Sequence, residues 1–188
     1  MALTALRKLL TLCFLGGFYL LSGQHNDCLD AVVVCGGESI SFILQGSGTD
    51  DFATPLNDPG CLELGESQSA WFYFEFAPDM PPGSLLEFTI RPKGEGSEDY
   101  DFALFGPSIR CDSLGSPVRC SYADFQCAHC PRTGLGEGAT DLHEGSGDDD
   151  GFLAPLKVQP GEGYYLLVDN FSGISSGFIL EWGGTAAA

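Results

Sequence analysis

The sequence predicts an all-β fold, an antiparallel, jelly-roll-like β-sandwich held by disulfides. Three observations carry that expectation. Helical periodicity is nearly absent, while short runs with two-residue alternation recur from residue 39 to residue 182. Turns rich in Gly, Pro, Asn and Asp separate those runs. Eight cysteines, seven of them beyond residue 23, suit an exported, oxidised chain.

The first residues stand apart from the fold. Arg7 and Lys8 precede an apolar run, 9–21, that is short for a membrane span, and the small residues Ser22 and Gly23 follow. This layout predicts a signal peptide over 1–23 cleaved after Gly23, with a membrane anchor as the alternative. A lipoprotein signal lacks its cysteine, since Cys28 lies too far on. Residues 24–188 then predict one domain with a core of its own and no membrane insertion after cleavage.

Along that domain, 27–34 predicts a short turn of helix, with Asp27 as N-cap and Gly36 and Gly37 as breakers. In 39–44, Ile40, Phe42 and Leu44 share one face of a strand. Residues 46–64 form a long connection. The run 70–76 is the strongest strand by composition, with Trp71, Tyr73 and Glu75 facing one way and Phe72, Phe74 and Phe76 the other. A Pro-rich turn at 79–83 leads to its expected partner, 84–91, whose Leu86, Phe88 and Ile90 point to the core.

In the next strand, Phe102 and Leu104 alternate with Asp101, Ala103 and Phe105. Neither parity is cleanly polar, which predicts a strand covered on both faces. A loop at about 123–151 is far longer than ordinary connections. Strands resume at 152–158 and 164–169, where Tyr165, Leu167 and Asp169 oppose Tyr164, Leu166 and Val168, and 177–182 closes the sheet.

Several stretches recur in the order of a known module: Cys28 with Cys35-Gly36, Gly60-Cys61-Leu62, Ser69-Ala70-Trp71-Phe72-Tyr73, the run 99–107, Cys120-Ser121-Tyr122, and the run 163–172. On these the chain resembles a β-sandwich module of secreted and surface proteins of Bacteroidetes. That module is found upstream of gliding-motility or type IX secretion C-terminal sorting domains. The last strands are similar, more loosely, to bacterial pre-peptidase C-terminal domains. The resemblance implies an exported, non-catalytic module. Such modules are normally embedded in longer proteins, whereas this sequence ends at Ala188 without a sorting domain, as a short form or a fragment would.

All 26 acidic residues lie after residue 24, against six Lys and Arg there, so the mature chain carries a net charge near −20. Nucleic acid and anionic lipid are poor partners for such a chain, and cations are good ones. Glu98, Asp99 and Asp101 crowd one strand mouth, and further acids stand at other strand ends. Ca²⁺ takes six to eight oxygens. Asp50, Asp51, Asp99, Asp101 and Asp169, with carbonyls from 148–151, form the expected ligand set. The run 148–151 lacks the alternating spacing and terminal Glu of an EF-hand.

Local spacing among the cysteines suggests Cys28 with Cys35, Cys111 with Cys120 and Cys127 with Cys130, leaving Cys61 over. A Cys35–Cys61 pair competes, and spacing leaves the connectivity open. Cys127-Ala128-His129-Cys130 reads as a disulfide loop rather than a zinc site. Three histidines remain, His25, His129 and His143, with no Gly-x-Ser-x-Gly elbow and no His-Glu-x-x-His helix. Paired carboxylates for glycoside cleavage carry no sequence signature.

Trp71 and Tyr73, sharing a face with Glu75, are the expected ligand-binding aromatics. The functional expectation is a secreted or cell-surface binding or adhesion module, stabilised by Ca²⁺ and directed at a protein or glycan. A carbohydrate-binding module accessory to a secreted hydrolase is one alternative, and a filament subunit is another.

Overall fold

The computed structural model describes residues 24–46, 48–62, 65–94, 98–123, 132–147, 150–173 and 176–187. The expected signal peptide, the pair Cys127 and Cys130, His129, and Asp148 with Asp149 lie outside the described residues.

Among the described residues the regular structure is almost all strand, with a single short 3-10 turn. The elements are β1 (Val32–Val34), β2 (Ile40–Phe42), β3 (Ser69–Glu75), β4 (Ser84–Pro92), β5 (Tyr100–Phe105), β6 (Arg119–Ser121), β7 (Thr133–Leu135), β8 (His143–Glu144), β9 (Phe152–Leu153), β10 (Leu156–Val158), β11 (Gly163–Asn170) and β12 (Phe178–Gly183). One sheet runs β1-β3-β11-β5-β6-β8. The other runs β2-β12-β4-β7-β9, with β10 also on β4. The long strands pair antiparallel, while β1 with β3, β6 with β8 and β7 with β9 pair parallel. No helix of the described residues is long and apolar enough to cross a membrane.

The sheets pack face to face because each alternating strand turns one apolar parity inward. Phe72, Phe74, Phe102, Leu104, Leu166 and Val168 of the first sheet meet Leu86, Phe88, Ile90, Phe178 and Leu180 of the second. Aromatic edges lock the layers, with Phe88 against Phe102 at 5.2 Å and Phe74 against Trp182 at 4.9 Å between ring centroids.

The opposite parity of the first sheet is covered as well. Trp71 of β3, Leu167 of β11, Ala103 and Phe105 of β5 and Cys120 of β6 form a second cluster with Cys28, Leu62 and Leu114. Segments 28–31, 50–62 and 107–118 therefore lie over the outside of the sheet. Two disulfides fasten that cover: Cys28–Cys111 ties two covering segments together, and Cys61–Cys120 nails a third to β6.

Several expectations are corrected. The pairings Cys28–Cys35, Cys111–Cys120 and Cys35–Cys61 do not occur, and Cys61 is not left over; Cys35 is itself disulfide-bonded. Neighbours in sequence lost to partners brought together by layering, which local spacing cannot register. The run 27–34 forms a 3-10 turn only at Cys28–Asp30, and the valines that follow become β1. β4 is not the partner of β3. The Pro-rich turn carries the chain to the other sheet, where β4 pairs with β12. The closing strand β12 lies between β2 and β4. Within 123–151, which reads as loop by sequence, β7 and β8 add to the two sheets.

Candidate functional site

The outer face of the first sheet reads as three rows across its central strands. At one end Ser69, Asp169 and Asp101 stand side by side on β3, β11 and β5. Next come Trp71, Leu167, Ala103 and Cys120, and beyond them Tyr73, Tyr165 and Phe105. The alternation of each strand sets these rows, with polar, apolar and aromatic positions in register.

The acidic row is buried. Asp101 is 6% exposed and Asp169 2%, and they are direct cross-strand partners, a placement that repels when both are ionised. Asp99, also buried, lies two residues before Asp101, and its carbonyl accepts the Phe171 N–H at 3.0 Å. Asp169 Oδ1 accepts the backbone N–H groups of Ser67 (2.8 Å) and Gln68 (3.0 Å). Burial nonetheless pushes the Asp169 carboxyl up to about 6, more than those hydrogen bonds pull it down. Glu98 is turned to structural use, accepting from the Gly94 N–H at 3.0 Å and from the backbone and hydroxyl of Ser176.

Asp50 and Asp51 sit in the cover instead. Asp51 Oδ2 accepts the Cys28 N–H at 2.8 Å, and the exposed Asp50 caps the Phe52 N–H at 2.9 Å. Burial raises the Asp51 carboxyl, against the pull of its Cys28 hydrogen bond. The structure thus brings Asp99, Asp101 and Asp169 to one end of the sheet and places Asp51 with Cys28. Among the described residues, no three His, Cys, Asp or Glu side chains form a group able to hold a metal ion by themselves.

Sequence reasoning missed Glu66. Its Oε1 accepts the Trp71 indole N–H at 2.9 Å and its Oε2 the Asp51 N–H at 2.9 Å, so it joins sheet to cover. Burial lifts its carboxyl to about 7. The residue just before Ser67 and Gln68, whose amides hold Asp169, gave no signal beyond its charge.

The expected aromatic face is divided. Trp71 is fully buried under the cover, against Phe105 at 5.7 Å and Phe52 at 6.2 Å, and is not a surface residue. Tyr73 remains half-buried, with its ring 4.8 Å from that of Tyr165, and its hydroxyl donates to Glu75 at 3.2 Å. Asn170, which heads an Asn-x-Ser sequence, is fully buried, so a glycan has no access to it in the folded chain. His25 lends Nδ1 to the Asp30 carbonyl at 2.6 Å, and His143 stands exposed on β8.

No family model matches the sequence, and a search of curated proteins found no match. Among solved structures the chain is similar to CorA, a surface-associated copper-binding protein important in copper acquisition by Methylomicrobium album BG8. The TM-score is 0.43 at 7% identity, covering 82% of this chain and 97% of that one. So loose a superposition establishes neither a shared fold nor a shared ligand.

Proposed function

We propose that this chain is an extracellular, non-catalytic binding module whose acidic row takes Ca²⁺ as a stiffening ion. The observation that carries the reading is the burial of Asp101 and Asp169 as direct cross-strand partners, with Asp99 beside them. Two ionised carboxylates so placed are eased by a hard cation, and backbone carbonyls and water complete its shell. Asp169 Oδ1 is occupied by two amides, so the cation uses the other oxygen. The disulfide-fastened cover and the resemblance to exported sandwich modules support an oxidising, extracellular location. Binding or adhesion is the role that the resemblance to non-catalytic exported modules implies.

The test is thermal melting at pH 7.5 in EDTA and in millimolar Ca²⁺, with Mg²⁺ at matched ionic strength as control. Ca²⁺ should raise the melting temperature of the unaltered chain and leave the Asp101→Asn, Asp169→Asn double variant where EDTA leaves it. A melt that does not move across millimolar Ca²⁺ rejects the ion.

A further inference from the structure

Beyond the acidic row, the same outer face carries an open cleft of about 460 Å³ with Tyr165 at its floor. Its walls come from two segments, Leu29 on one and Ile109, Arg110, Cys111 and Asp112 on the other, and Asp51 lines it as well. We propose that this cleft is a binding site for a neutral sugar residue of a polysaccharide. The inference rests on the reading of the chain as a binding module, and it names the ligand class.

Three features point that way. The first is an aromatic surface. Tyr165, which lines the cleft, and Tyr73 beside it are half-buried neighbours on β11 and β3, with ring centroids 4.8 Å apart and planes tilted by 47°. A pyranose offers a face of C–H groups that lies well on such rings, while its rim of hydroxyls asks for paired donors and acceptors.

The second is the rim that the cleft supplies. Arg110 Nε and Nη2 donate to Asp112 Oδ1 and Oδ2 at 3.0 and 3.2 Å, a forked pair that is exposed on its outer edge. Such a pair presents donors and acceptors side by side and carries no net charge, which suits vicinal hydroxyls. The chain around it is strongly acidic, so an acidic glycan is repelled.

The third is rigidity. The two walls are joined by the Cys28–Cys111 disulfide, since Leu29 follows one half-cystine and Arg110 precedes the other. The Arg110 carbonyl accepts the Ser113 N–H at 2.9 Å, and the Cys111 carbonyl accepts Asn57 Nδ2 at 2.9 Å. A loop fixed in this way loses little freedom when a ligand arrives, and weak contacts then count for more.

The experiment is affinity electrophoresis of the oxidised chain in native gels cast with xylan, galactomannan or mixed-linkage β-glucan, and with alginate as the acidic control. Each gel is run with EDTA and with Ca²⁺. At least one neutral polysaccharide should retard the protein, and alginate should not. Arg110→Ala, on a side chain that supports no core contact, should weaken the retardation by about tenfold, as should Tyr165→Ala. Arg110→Ala is checked first for an unchanged melt, because Tyr165→Ala removes a partly buried ring.

Absence of retardation by all three neutral gels overturns the site. So does retention that survives Arg110→Ala, or retention by alginate alone. The Ca²⁺ melt reads Asp101 and Asp169, whereas retardation reads Tyr165 and Arg110, so either can fail while the other stands.

Discussion

Glu66 shows how this chain uses its acids. It holds the Trp71 indole and the Asp51 amide at once, and burial raises its carboxyl to about 7 from the ordinary value near 4.5. The folded chain therefore keeps this proton more tightly than the unfolded chain does. Between roughly pH 4.5 and 7 the folded state binds more protons, so stability falls as pH rises and levels off above about 7. Asp169, raised to about 6, acts in the same direction over a lower window. In calcium-free buffer the melting temperature should climb as pH is lowered from 8 to 5.5, and the climb should shrink in Glu66→Gln. A flat profile over that range contradicts the burial argument. The carboxylates were legible as a count and as strand-end positions, but their uses were not. Whether an acid caps a backbone N–H, as Asp51 and Asp169 do, depends on chain brought from far away in the sequence.

Faces were easier to read than partners. The parities of β3, β4, β5 and β11 are those the alternation predicts, and β5 is covered on both sides as its two apolar parities require. Alternation tells which side chains share a face, but not which strand lies alongside, so the expected β3–β4 hairpin was lost. β7 escaped notice because three residues, Thr133, Gly134 and Leu135, show no period. Its glycine explains how it fits. A Cβ at Gly134 would lie 2.0 Å from the Phe88 carbonyl oxygen, within the β4–β7 pairing. Backbone cannot yield as a side-chain tip can, so Gly134→Ala should destabilise the chain by about 3 kcal/mol, the upper part of the usual overpacking range. Urea unfolding measures this, and a loss under about 1 kcal/mol would show that β7 can shift without cost to the sheet.

At the scale of the molecule, the sandwich core and the cover are fastened by different means. Among the described residues the core cluster is held by interlocking aromatics and contains no half-cystine, whereas Cys28, Cys61, Cys111 and Cys120 all lie in or against the outer cluster. The covering segments have little regular structure to hold them. Buried Asn57 links three of their points, to the Asp51 and Cys111 carbonyls and the Leu114 amide, and the disulfides do the rest. Removing Cys28–Cys111, which joins residues 83 apart, should cost about 4 kcal/mol through the freedom returned to the unfolded chain. Where that cost appears is more telling than its size. If the cover is a separately fastened layer, a Cys28→Ser, Cys111→Ser variant keeps the far-ultraviolet signal of its sheets. Trp71 meanwhile loses its roof and its emission moves to the red, and Trp182, at the far side of the core, stays in place. A variant whose sheet signal and tryptophan emission are lost together would show that sheets and cover stand or fall as one body.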